Sequence, residues 1–263
     1  MGVKLLTVPA QRGPAWVKAG LASLFAHLPG YTLLCLVFLV AAAVLSLVPV
    51  VGSVVLLAAL PLFSLAFTMG TREVQAGRPI TPALYLAPWQ QRATRRPLAV
   101  LCLAYAVATL ALVALADALD GGRFYEVMQA VTAQPNPEQM AELLAGGGLF
   151  EGFVLRTLLI TLLAVPFWHA PALVVWGGQG AAQALFSSTL ALWRARGAYV
   201  LYGLGWTAVT LGVSLVGGLL LGILGTAVGP WLLLPLSLLV TMAFYASLYP
   251  SYVDCFGTPD EGV

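Results

Sequence analysis

Charged side chains are scarce in this chain. Only 8% of its 263 residues are Asp, Glu, Lys or Arg, where a soluble domain carries roughly a quarter. With 60% of the sequence hydrophobic, no water-soluble fold hides that much apolar surface. Cysteine is sparse too: Cys35, Cys102 and Cys255 are far apart with no C-x-x-C pair, which suggests neither a disulfide framework nor a zinc site. The P-loop, the G-x-S-x-G elbow and the H-E-x-x-H pair are all missing. The chain therefore reads as non-enzymatic, with no metal, no cofactor and no nucleic-acid partner. The strict alternation of an outer-membrane barrel strand is missing as well, so the spanning structure has to be helical.

What is present is a set of six apolar runs: Tyr31–Val48, Val51–Met69, Pro97–Ala116, Thr157–Trp176, Tyr199–Leu224 and Trp231–Pro250. Roughly 20 helical residues cross a hydrocarbon core of about 30 Å, so each run predicts a transmembrane helix. Ten of the twelve basic residues fall in three stretches: Lys4, Arg12 and Lys18; Arg72, Arg78, Arg92, Arg95 and Arg96; Arg194 and Arg196. By the positive-inside rule these stretches, and both termini, are cytoplasmic. The connection after the third run holds Asp117, Asp120, Glu126, Glu138, Glu142 and Glu151 against Arg123 and Arg156, and is assigned to the external side. About thirty mixed residues precede the first run without the order of a cleavable signal. The first helix is expected to remain as an anchor.

Before the first, third and fifth runs lies a stretch too polar to span and too apolar to ignore the bilayer, read as an interfacial amphipathic helix. The first begins at Gly13-Pro14, with proline at its first helical position, and carries Val17, Leu21, Leu24 and Leu28 on one stripe. A gapless shift of 169 residues overlays them on Phe186, Leu190, Trp193 and Gly197; a shift of 68 gives Tyr85, Trp89, Arg92 and Arg96. The expected fold is thus all-α and integral to the membrane. Its six helices form three hairpins, each preceded by a cytoplasmic interfacial helix, in units 13–70, 82–176 and 181–250 of a single membrane domain. The middle unit carries an external insertion over 117–156. There, Phe124, Val127, Met128 and Val131 predict one short helix and Asn136-Pro137-Glu138 starts a second, ending near Gly146-Gly147-Gly148. These two serve as a lid, a docking surface or a cover for the bundle.

Within the fourth run, Val165-Pro166-Phe167-Trp168-His169-Ala170-Pro171 places the one strongly polar, titratable side chain of any run between two prolines. An intramembrane ionisable group is a functional candidate by default, so His169, with Trp168, Pro166 and Pro171, is the candidate site. The bland alternative is a neutral His169 whose ring N–H caps a carbonyl freed by a proline, fixing a kink. Trp16, Lys18, Trp89, Arg92, Arg95, Arg96, Trp193, Arg194 and Arg196 are the expected membrane-interface anchors. Gly218-x-x-x-Gly222 in the fifth run predicts close helix packing, within the chain or between copies. Asp117 and Asp120 share a helix face at i, i+3, a spacing that suits Mg²⁺ against a lipid phosphate and equally an ordinary acidic helix end.

Four sequence pieces resemble a family of uncharacterised, mainly proteobacterial inner-membrane proteins, a domain of unknown function. They are Val8-Pro9-Ala10-x-x-Gly13-x-x-Trp16, Ser46-Leu47-Val48-Pro49-Val50-Val51-Gly52, Phe167-Trp168-His169-Ala170-Pro171-Ala172-Leu173, and Ala184-Leu185-Phe186-Ser187 with Trp193-Arg194. The resemblance implies a location and an architecture and names no substrate. The expected role is binding or organising membrane lipid, or a membrane partner complex, with a homo-oligomer as a further possible partner. The alternative is a small-molecule transporter with its site near His169.

Overall fold

The computed structural model describes residues 4–132 and 148–259, with the backbone only at 132, over 224–230 and at 232. Among the described residues the fold is all-helical. Helix α1 (Arg12–Ala26) turns at His27 into α2 (Leu28–Ser46), and α3 (Val51–Gln75) returns beside it. A 3-10 turn over Pro82–Tyr85 and the single-turn α4 (Ala87–Gln90) lead into α5 (Arg92–Asp120), followed by α6 (Arg123–Thr132). Then come α7 (Leu149–Phe167), α8 (Ala170–Val175), α9 (Ala181–Arg194), α10 (Arg196–Ala246) and α11 (Leu248–Phe256).

Among the described residues, six segments are long and apolar enough to cross a membrane: Leu28–Ser46, Val51–Gln75, Arg92–Asp120, Leu149–Val175, Arg196–Ile223 and Leu233–Phe256. Each overlaps one of the expected runs. The fourth starts well before Thr157, at Leu149, because its charged first turns are satisfied. Gly148 takes a left-handed conformation ahead of the helix and its N–H donates to Glu151 Oε2 at 2.8 Å, while Arg156 is paired with both Asp117 and Asp120. Phe124 of α6 packs under the Arg156 guanidinium, 4.2 Å from ring centre to charge. The second short helix expected from Asn136 lies outside the described residues.

Helical conformation extends over the 51 residues of α10, yet a single straight helix of that length would reach about 77 Å, more than twice a hydrocarbon core. The chain instead folds back. Tyr202 bonds Ser247, Trp206 meets Phe244 and Gly217 lies against Leu233, pairs centred near Gly225.

The two larger of three buried clusters among the described residues share α3. Phe63, Ala66 and Phe67 face one, with Trp16, Tyr31, Tyr202 and Ala243; Leu65 faces the other, with Leu98, Leu101, Leu173 and Tyr252. The first cluster is closed by α1, which crosses both arms of α10. A Cβ on Gly13 would sit 2.2 Å from the Ala198 carbonyl oxygen, and one on Gly20 2.5 Å from that of Ala243. Contact this close fixes glycine at both positions.

Four expectations change here. Trp16 is fully buried and so meets no lipid headgroup; its Nε1–H donates to Asp254 at 2.6 Å, and Arg12 grips the same carboxylate at 2.6 and 2.8 Å. The hydrogen bond to Asp254 raises the Arg12 pKa, keeping the guanidinium charged. Second, the aligned stripes face opposite ways: Val17 and Leu24 of α1 are buried, whereas Phe186, Leu190 and Trp193 of α9 are exposed over a buried face of Ala184, Ser188 and Ala191. Third, Tyr85, Trp89, Arg92 and Arg96 do not share one helix. Pro82 and Pro88 each start a new turn and Gln91 is extended, with φ −86° and ψ 126°. Fourth, of the two kinds of packing expected for Gly218-x-x-x-Gly222, the one within the chain does not occur: a Cβ on Gly218 or Gly222 would touch nothing within 4 Å, and the fifth span buries 11% of its window against 50% for the fourth. The burial of the fourth span comes mostly from its Ala170–Val175 end, and within the chain the described glycines of α10 that pack most closely on a side chain are Gly205, against Val17, and Gly217, against Leu233.

The turn between α2 and α3 carries backbone strain. Val50 has φ 62° and ψ −61°, and the Val51 N–H donates to the Pro49 carbonyl at 2.7 Å, a γ-turn that β-branched residues rarely adopt. Val50→Gly is expected to stabilise the fold by about 1 kcal/mol, seen as a raised melting temperature in detergent; a lowered one would show that the turn stores no strain.

Candidate functional site

Helix α7 is broken where its sequence says it should be, but a different residue repairs the break. In an unbroken helix the His169 N–H would donate to the Val165 carbonyl. Here Ser188 of α9 is inserted between them: its Oγ accepts from the His169 N–H at 3.0 Å and donates to Val165 O at 3.0 Å. Side-chain insertion into the ladder is one of the few causes of a sharp kink. Pro171 then opens α8, where its missing N–H is harmless.

The break turns the His169 ring inward, 1% exposed. Its Nε2 lies 2.6 Å from the Tyr199 hydroxyl, one donating to the other according to the imidazole tautomer. The hydroxyl also reaches Cys255 Sγ at 3.6 Å. Edges of Tyr252 and Phe256 close the imidazole from α11, with ring centres 5.7 and 5.6 Å away. The expected carbonyl partner is thus replaced by a phenol from another span. His169 is also level with Tyr199, three residues into α10, about 4.5 Å from its start.

Trp168 points to the other side. Its ring stands edge-on to Tyr199, Tyr202 and Phe244, and its Nε1 has no partner among the described residues. Beyond it opens a crevice of about 200 Å³ between α3, α5, α7, α10 and α11, with Pro61, Ser64, Tyr105, Ala164 and Tyr245 in its walls. Ile160, 55% exposed, also lines it, so the crevice meets the apolar outer surface of the bundle. Pro61 lies within α3 in its wall, and Pro166 lies within α7 immediately before the lining residues Phe167 and Trp168.

The other sequence-derived positions are not part of this site. Asp117 and Asp120 are tied to Arg156, the latter at 2.5 Å, which removes the open carboxylate pair a bound cation needs. No group of three or more metal-binding side chains occurs among the described residues. Arg95 donates to the carbonyls of Trp89 and Gln90, folding back over α4. Trp193 is 69% exposed with the Arg196 guanidinium 5.8 Å from its ring centre; Lys18, Arg92, Arg96 and Arg194 are exposed.

No protein-family model matches the chain, and no solved structure does. A probable inner membrane protein of Burkholderia thailandensis is 30% identical to it over 270 residues, covering 99% of this chain and 96% of that protein. The chain belongs to that protein's family. It is an inner-membrane helical bundle with six candidate spans, and the surface that its crevice meets is the surface such a protein turns to lipid.

Proposed function

We propose that this inner-membrane protein binds and organises membrane lipid, or a partner complex through that lipid, without catalysing a reaction. The observation that carries this reading is the crevice beside Trp168, which is walled by five helices and opens where Ile160 is exposed. An apolar pocket with a few polar groups in its wall suits a chain-bearing molecule entering sideways from the bilayer. Both termini and the arginine-rich connections are cytoplasmic in this reading, the segment over 117–156 is external, and units 13–70, 82–176 and 181–250 each hold one hairpin. Support for the hairpins comes from α2 packing on α3, α5 on α7, and α10 folding back on itself. The exposed Phe186, Leu190 and Trp193 fit α9 as an interfacial helix. The transport alternative centred on His169 draws nothing from the geometry, because aromatic rings seal that side chain.

Native mass spectrometry on protein extracted in mild detergent tests the reading. Wild type is expected to carry lipid, and Ala164→Phe, which fills the crevice, to lose it roughly tenfold at an unchanged melting temperature. Equal lipid retention by both proteins would remove the crevice from the account.

A further inference from the structure

Three buried polar atoms lack a hydrogen-bond partner among the described residues: Trp168 Nε1, Trp206 Nε1 and Gln179 Oε1. Of the three residues, Trp168 lines the crevice. An indole N–H can only donate, and native folds rarely leave a buried donor without an acceptor. A second donor is at hand, because the Tyr245 hydroxyl in the same wall has no hydrogen bond among the described residues. Ser64 gives its own hydrogen to the Pro61 carbonyl at 2.9 Å, so it meets a ligand as an acceptor. No residue lining the crevice is charged, and five of them, Tyr105, Phe167, Trp168, Phe244 and Tyr245, are aromatic.

We infer that the crevice binds a neutral ring bearing carbonyl oxygens and an apolar tail, the chemistry of a membrane quinone, with Trp168 Nε1–H and the Tyr245 hydroxyl as its donors. The inference rests on the lipid-binding reading of the crevice and names the class of occupant. Depth decides between this ligand and the ester carbonyls of a phospholipid. Trp168 lies twelve residues from Arg156, and Tyr105 twelve from Asp117, each about 18 Å along its helix. Toward the other end Tyr105 is nine residues from Arg96, about 14 Å. Half of a hydrocarbon core measures about 15 Å, so the crevice donors belong near its middle. A phospholipid keeps its ester carbonyls at the interface, because its charged phosphate is costly to draw into hydrocarbon. Its methylenes alone reach the level of Trp168, and they leave the indole N–H unpaired. A neutral ring carries its carbonyls to that depth without burying a charge. Flat rings also pair with aromatic walls. The volume of about 200 Å³, below the roughly 300 Å³ at the small end of ligand pockets, suits a single ring whose tail leaves past Ile160.

The test uses the full chain, depleted of lipid in nonionic detergent, with a decyl-tailed benzoquinone, decylbenzene and phosphatidylglycerol as probes, read by native mass spectrometry and thermal shift. Wild type is expected to bind the quinone roughly tenfold more tightly than decylbenzene, and Trp168→Phe to remove that preference. Tyr245→Phe deletes one oxygen atom and keeps the test valid should Trp168→Phe fold poorly; it is expected to cut the preference by roughly threefold or more. Ala164→Phe should lose the quinone along with lipid. If quinone and decylbenzene bind wild type alike, or if both donor variants keep the wild-type preference, while Ala164→Phe still loses lipid, the quinone assignment is overturned and the lipid reading stands. The same holds if phosphatidylglycerol displaces the quinone at equal concentration. Retention of both quinone and lipid by Ala164→Phe overturns both readings.

Discussion

Gly13→Ala and Gly20→Ala are each expected to destabilise the protein by about 2–3 kcal/mol, while Gly218→Ala and Gly222→Ala leave it unchanged or slightly more stable. The added methyl group at Gly13 would lie 2.2 Å from the Ala198 carbonyl oxygen and 2.7 Å from the Tyr202 nitrogen; at Gly20 it would meet the Ala243 oxygen and the Ser247 Cβ, both at 2.5 Å. These are backbone atoms of two packed helix arms, or a Cβ fixed to one, so no flexible side chain swings aside to absorb the overlap. Helix α1 has to lift from α10, which also separates Trp16 and Arg12 from Asp254 and exposes the buried ring of Tyr202 and more of half-buried Tyr199. Around Gly218 and Gly222 a methyl group meets open space, and alanine is the better helix former. Thermal unfolding of the four variants in one detergent separates the two pairs. Similar shifts for all four would refute the assignment of α1 to the inner side of the bundle.

This contrast shows what local sequence carries and what it does not. The six spans were legible because apolar length alone decides whether a helix crosses a bilayer, and the Phe124 to Val131 spacing correctly gave α6 at Arg123–Thr132. Which glycine packs was not legible: Gly218-x-x-x-Gly222 has the better motif, but the helix that approaches α10 comes from the other end of the chain. Trp16 was misread for the same reason. An indole near a basic residue before a span has the composition of an interface anchor, and only Asp254, 238 positions away, reveals that it points inward. At the middle unit the expected interfacial helix does not form, because Pro82 and Pro88 interrupt any helix that would set Tyr85 and Trp89 on one face with Arg92. His169 was found by its rarity and its flanking prolines, whereas Ser188 and Tyr199 carry no local signal. A serine in an apolar helix and a tyrosine one turn after an arginine are ordinary until the fold brings them to the kink.

The Ser188 splint makes the second large prediction. Ser188→Ala leaves the His169 N–H and the Val165 carbonyl without their shared partner, in a place where His169 is 1% exposed and Ser188 fully buried. An unsatisfied buried backbone group costs about 1–3 kcal/mol, so the variant is expected to lose about 2–4 kcal/mol, whereas Thr189→Ala, one residue on and exposed, loses little. Tyr199→Phe removes the imidazole's partner and is expected to cost about 1–3 kcal/mol. Because the Ser188 hydroxyl sets the backbone that aims the His169 ring at Tyr199, the two losses should not add, and the double variant should fall short of their sum by about 0.5 kcal/mol or more. Additive losses would mean that the kink and the His169–Tyr199 pair are independent features. A neutral Ser188→Ala would mean that α7 closes its own ladder once the hydroxyl is gone. The ring of His169 would then turn away from Tyr199, and the crevice wall built by Trp168 would move with it. Lipid retention by the Ser188→Ala protein distinguishes that case from one in which serine fills space at the kink and bears no strain.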